Sequence, residues 1–384
     1  MVRVSGRSYA AGMMTDRRLA LWRVRSQRLS SPAGDAEQIV RTMLGVQAEN
    51  PSQSAWAVAT RTSSPNHGDL AAALASARVV RTHVLRSTWH YVLADDVHWL
   101  QELTAPRVLP TYEVQLRSLG DRVERVAAAV EAVLGGSAEA LRPSTATETS
   151  ALTRSEIASA LADRGEPLTG QPLGLLMAWL EIHNRVTSGP PRDGEHTYAL
   201  FDDRVRTPRR LDREEALAEL AMRYFTSHGP ATERDLTYWA TLTVTEVRRG
   251  IAAAGEGLTS FEHDGRRYWH ATGVEPPPEP SRRDRPGAHL LQVLDEMYRG
   301  YQDSRWVLDA DALVPRGRES SIGMALVDGQ LLASMQRTVG ARTVTFTLRP
   351  YRPLRARERA AIEAAAARYA DFLELEPKVD IDAR

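Results

Sequence analysis

The sequence predicts an α+β protein: three tandem winged helix-turn-helix units, then a small C-terminal β-barrel or sheet with a terminal helix. Three observations carry that expectation. One order of elements recurs three times, Asp-Gly pairs sit between short β-prone runs, and two linkers divide the chain. Helix, turn, second helix and a pair of strands is the winged helix-turn-helix arrangement.

The first copy, within residues 1–134, is the most divergent. It offers helices in RRLALWRVRSQRL, DAEQIVRTMLGVQ, PSQSAWAVATRTS and GDLAAALASAR, then a strand pair in RVVRTHVL and STWHYVLA. The second, 135–205, is the clearest: Thr153 with Glu156 forms a capping box, Gly165 closes that helix, and a hairpin turns at Asp193 and Gly194. The third, 206–274, carries three helical stretches and a hairpin turning at Asp264 and Gly265. Linkers are expected over 135–150 and, rich in proline, over 274–287. The last module, 275–384, has a hairpin at Asp328 and Gly329, a further strand in RTVTFTLRPYRP and the helix ARERAAIEAAAARYADFLE.

Composition removes whole classes of chemistry. The 384 residues contain no cysteine, which excludes disulfides, thiolate nucleophiles and Cys-ligated zinc. Of the 49 basic residues only Lys378 is a lysine, so a phosphate-binding loop that needs one after its glycines is ruled out. A Schiff base could come only from Lys378, in what reads as an unstructured tail, or from the N-terminus. The formal charge of +0 does not describe a uniformly basic nucleic-acid binder. Local patches remain: Arg204, Arg206, Arg209, Arg210 and Arg213; Arg282, Arg283 and Arg285; and a C-terminal group from Arg337 to Arg359. Charge runs of this kind are mostly solvated faces. No apolar run approaches the roughly 18 residues of a membrane span. The N-terminal stretch lacks a secretory h-region, so a cytoplasmic protein with no membrane partner is expected.

The stretch LGVQAENPSQSAWAVATR sets two polar residues, Gln47 and Glu49, into an apolar helical pattern that Asn50 and Pro51 then break. Proline crowds the residue before it out of the helix but suits the first helical position, which makes Asn50 an N-cap and Pro51 the start of a new helix. Residues two apart diverge on a helix and share a face in an extended connector, so Gln47 and Glu49 could converge. The dipole of the following helix favours an ionised Glu49. Spacing alone favours a surface helix end where Glu49 merely complements that dipole.

The same stretch is similar to the glutamine-bearing motif of the AlkZ/YcaQ-type bacterial winged-helix DNA glycosylases. LRSTWHYVLADDVHWL, SGPPRDGEHTYAL, GPATERDLTYWA and LVDGQLLASMQRT resemble further segments of that family, in its order. The resemblance implies three winged-helix units with a C-terminal β-barrel. It also implies a hydrolase that releases bulky N7-alkylated guanine and some interstrand cross-links from double-stranded DNA, without cofactor or metal, in DNA repair or self-resistance to a genotoxic natural product. The family's motif is glutamine, an aliphatic residue, then glutamine or aspartate; here Gln47 and Ala48 match and Glu49 departs, keeping a carboxylate on a longer arm. Gln47 and Glu49 are thus the expected catalytic pair. Asn50, Arg61, Arg86, Thr88, His90, Arg209, Arg210 and Arg337 are the expected DNA contacts, on a monomer. Strand alternation sets Trp89 opposite Thr88 and His90, with Trp89 and Trp56 expected in the core and His90 near the DNA. His83, His90 and His98 are spaced too irregularly for a metal site. The rival reading is a non-catalytic winged-helix regulator, which would need no carboxylate at position 49.

Overall fold

The computed structural model describes residues 14–140, 151–278, 286–315 and 323–382; Arg282, Arg283 and Arg285, and parts of both expected linkers, lie outside them. Along the chain come α1 (Asp16–Ser26), α2 (Ala36–Met43), β1 (Val46–Gln47), α3 (Pro51–Ala59), α4 (His67–Ala75), β2 (Val79–Val84), β3 (Thr88–Leu93), α5 (Ala94–Leu116) and α6 (Arg122–Ala140). Then follow β4 (Leu152–Thr153), α7 (Arg154–Asp163), α8 (Gly170–Ile182), β5 (Val186–Ser188), β6 (Thr197–Leu200), α9 (Phe201–Arg204), α10 (Arg213–Ser227), α11 (Glu233–Ala240), α12 (Val244–Ala254), β7 (Leu258–His263) and β8 (Arg266–Ala271). The chain closes with β9 (Ala288–Leu291), α13 (Glu296–Arg299), β10 (Gly323–Val327), β11 (Gln330–Val339), β12 (Thr343–Pro350), α14 (Ala356–Phe372) and β13 (Glu376–Ile381).

The α+β class is as expected. The three Asp-Gly turns place both residues at positive φ: Asp193 and Gly194 at 51° and 78°, Asp264 and Gly265 at 47° and 68°, Asp328 and Gly329 at 48° and 72°. That backbone twist matches the right-handed twist of the paired strands, which is why these dipeptides mark hairpins. The Thr153–Glu156 capping box forms as read. Lys378 is a correction: it lies on β13, paired parallel with Thr345 of β12, and its ammonium meets Asp380 at 3.1 Å.

Contacts divide the chain into two compact units that do not follow the sequential segments. One comprises Met1–His67, Leu217–Trp239 and Thr243–Arg384; the other Gly68–Ala216 and Ala240–Leu242. In the first, the C-terminal strands form a sheet ordered β13-β12-β11-β10-β9, and α14 lies against it. Its core joins Phe346, Ile362 and Tyr369 with Trp56 of α3. Trp56 is core, as expected: its indole N–H donates to the Leu290 carbonyl at 2.8 Å and its ring stacks on Tyr369 at 4.3 Å.

In the second unit, α5 to α8 enclose a core built on Val126, Leu161, Leu176 and Leu180. The β2–β3 hairpin pairs Thr82 with His90 and His83 with Trp89. Beside it Glu181 is fully buried against His83; burial pushes its carboxyl up, opposed by His83 and Arg81.

Several histidines are held below the ordinary imidazole range, chiefly by burial: His98, His196, His270, and His289, which drops to about 4. An unfolded chain would bind those protons near pH 6.5, whereas the folded chain refuses them until lower pH. The stability they contribute is therefore complete above about pH 6.5 and lost as pH falls toward about 4. Thermal unfolding followed by circular dichroism should show Tm falling steadily from about pH 7 to about pH 5. A flat Tm across that window would contradict these assignments.

Candidate active site around Gln47 and Glu49

The segment from 35 to 61 is fixed at both ends before its polar residues are considered. Asp35 caps α2 with Gln38 in a reciprocal box, the Gln38 N–H reaching Asp35 at 2.9 Å. Leu44 then ends the helix at φ 66°, ψ −45°, a conformation that costs a leucine on the order of 1–3 kcal/mol and persists only when its surroundings impose it. Here full burial of Leu44 imposes it, and the chain turns at once into β1. Asn50 stands at the N-cap with φ −111°, ψ 96° and Pro51 at N1, as the sequence requires. The Asn50 carbonyl accepts the N–H of Ser54 at 2.8 Å, and its side-chain oxygen accepts the Ser52 hydroxyl at 2.7 Å rather than a backbone cap.

Within this frame Gln47 is 5% exposed, Ala48 is fully buried, and Glu49 and Asn50 face solvent. The site thus offers an enclosed residue with an amide side chain and, two positions on, an accessible carboxylate at the start of a nine-residue helix. Helix N-termini attract negative charge, so position 49 suits a carboxylate.

Two consecutive acidic residues hold this segment from behind. Glu296, fully buried, accepts the Gln47 backbone N–H at 3.0 Å on Oε1. Its Oε2 accepts the Trp239 indole N–H at 2.9 Å and stands 3.3 Å from His228 Nε2. Asp295 takes Arg61 in a two-pronged pair, at 2.7 and 3.0 Å, just past the end of α3. The sequence reading missed both carboxylates. Their signal was there to find: an acidic pair inside the largely apolar run HLLQVLDEMY, where burial demands partners.

The expected DNA contacts fare differently. Arg61 is a correction: it is fully buried, and all five guanidinium N–H groups are engaged by Gln27, Ala57 and Asp295, so none is left for a phosphate. His90 is fully buried, its Nδ1–H donating to the Thr88 carbonyl at 2.8 Å. Trp89 is half-buried, with the Arg81 guanidinium 3.9 Å above its ring. Trp89 packs at the edge of the core rather than inside it, and from His90 to Leu93 every residue of that strand is buried. Arg86 and Thr88 are half-buried near the hairpin turn.

Arg209 and Arg210 are exposed, donating to Asp96 at 2.9 Å and to His98 at 2.8 Å. Arg204, from the same run, is instead buried and donates to the carbonyls of Leu74 and Ala75. Arg337 is half-buried, donating to the Ser52 carbonyl at 3.2 Å and the Tyr369 hydroxyl at 3.0 Å, which brings a guanidinium close to the start of α3. Among the described residues no cluster of three or more His, Asp or Glu could hold a metal, and no helix is long and apolar enough to cross a membrane.

Against known proteins, the family described as DNA glycosylase AlkZ-like matches residues 40–372. The solved structure of the Streptomyces sahachiroi DNA glycosylase AlkZ superposes with a TM-score of 0.72 over 96% of this chain and 100% of that one, at 20% identity. That likeness concerns the fold. No curated protein shows significant sequence similarity.

Removing one member of a buried ion pair strands the other, at a cost of about 3–5 kcal/mol. Arg61→Met should lose stability of that order in urea denaturation, and Arg61→Met with Asp295→Leu should recover much of it. Equal losses in the single and double variants would mean that the pair is not what Arg61 serves.

Proposed function

Because the chain belongs to the AlkZ-like DNA glycosylase family, we propose that it hydrolyses the N-glycosidic bond of bulky N7-alkylated guanine in duplex DNA, with Gln47 and Glu49 as the reacting pair. The supporting observation is their setting: Gln47 tied through its backbone to buried Glu296, and Glu49 solvent-exposed just before the N-cap of α3. N7 alkylation leaves the base positively charged and ready to depart, so no general acid is required. The transition state needs negative charge beside an oxocarbenium-like sugar and a water aimed at it. Glu49 supplies the first and polarises the water, and the Gln47 side chain orients it. Membership in a family of enzymes argues against the non-catalytic regulator. Interstrand cross-links and a self-resistance role belong to the same proposal.

The three hairpins β2–β3, β5–β6 and β7–β8 serve on this reading as wings of tandem winged-helix units, with Arg86, Thr88, Arg209, Arg210, Asn50 and Arg337 as DNA contacts; His90, fully buried, is not one of them. The protein acts as a cytoplasmic monomer.

Glu49→Ala should cut release of N7-alkylguanine by about 100- to 1000-fold while duplex binding persists. Gln47→Ala should slow it about 10- to 100-fold. Glu49→Gln restores one of the family's own variants at this position and should retain more activity than Glu49→Ala. Chromatography of the released base and heat-induced breaks at abasic sites read all three; wild-type turnover in every variant would refute the assignment. With one lysine, on a strand and 62% exposed beside Asp380, we further expect a monofunctional enzyme. Borohydride added during turnover should trap no enzyme–DNA adduct, and a trapped adduct would show an amine nucleophile at work.

A further inference from the structure

Gln47 ends a two-residue strand, and its backbone N–H is held by a carboxylate 249 positions away in sequence. That carboxylate is itself immobilised. Trp239 donates to it, and His228, stacked on Tyr224 at 4.7 Å and with its carbonyl accepting the Tyr301 hydroxyl at 2.7 Å, closes its other side. The Glu296 carbonyl accepts from Gln27 at 3.2 Å, and Asp295 beside it is locked to Arg61. One oxygen of a rigidly held carboxylate is therefore aimed at the Gln47 amide.

We propose that Glu296 is the positioning residue for Gln47: it sets where the Gln47 amide side chain stands relative to the reacting sugar and water, without touching substrate itself. This rests on the reading of Gln47 as catalytic. Reaction geometry tolerates little error, since a displacement of about 1 Å can cost on the order of 100-fold in rate. Supporting shells commonly carry effects of about 10- to 100-fold. A merely structural Glu296 would instead lower stability and leave the surviving folded fraction fully active.

The test uses the full chain and the N7-alkylguanine duplex in single-turnover reactions with saturating enzyme. Glu296→Gln keeps the size and one acceptor oxygen but replaces the other with a donor facing the Trp239 N–H. Base release should slow about 10- to 100-fold in the folded fraction, with duplex affinity within about 2-fold of wild type. In a Gln47→Ala background the same change should cost under about 3-fold, because the group it positions is gone. Trp239→Phe, which removes one donor and keeps the ring packing, should slow release in the same sense, and it decides the matter where Glu296→Gln does not fold.

The inference is overturned by wild-type release from these variants, by affinity falling in step with rate, or by an undiminished Glu296→Gln effect in the Gln47→Ala background. Wild-type release from Gln47→Ala alone would overturn the catalytic reading instead. Loss in Gln47→Ala without loss in Glu296→Gln or Trp239→Phe would overturn only the positioning role.

Discussion

A carboxyl group buried away from water is costly unless donors meet its oxygens, and this protein buries two in succession. Asp295 and Glu296 satisfy that demand with partners drawn from two distant stretches: Arg61 and Gln47 from the N-terminal part, Trp239 and His228 from the middle of the chain. The bonds from Gln47 and Arg61 that stabilise the carboxylates also fix the segment from 44 to 61. Breaking a partner away strands a buried polar group, so the arrangement stands or falls largely as one piece. The strained turn at Leu44 is sustained within the same enclosed surroundings.

The division of labour at the site follows from burial. A residue that orients a water gains from being enclosed, because a fixed dipole needs no reorganisation as charge develops. A group that must meet a sugar inside a bulky DNA lesion has to be reachable. On the proposed reading Gln47 and Glu49 answer these opposite requirements: β1 ends at the buried Gln47, and Glu49 lies exposed in the connector that precedes α3. Ala48, fully buried, anchors the crossing.

Local chemistry was legible in the sequence wherever neighbours decide it. The Asn50–Pro51 break, the capping boxes and the Asp-Gly turns depend on residues within a few positions of one another, and the structure has them where the sequence places them. Long-range pairings were not legible. Arg61 looked like a candidate phosphate contact because its partner Asp295 lies 234 residues away. Lys378 looked like tail because β13 becomes a strand only beside β12. Alternation set Trp89 apart from His90 but could not say that both faces of the strand would be covered from His90 onward. The long helix α5 contains Pro106 and Pro110, which in sequence argue against the continuous helix that packing sustains.

A chain is made from its N-terminus, and Gln47 emerges long before residue 296. Until the later segment is synthesised and folds back, the peptide N–H at 47 lacks the acceptor that holds it in the finished protein. The order of synthesis thus acts as a timer. The loop with the glutamine and the glutamate takes its final form late, when the segment around α13 is in place and most of the protein already exists.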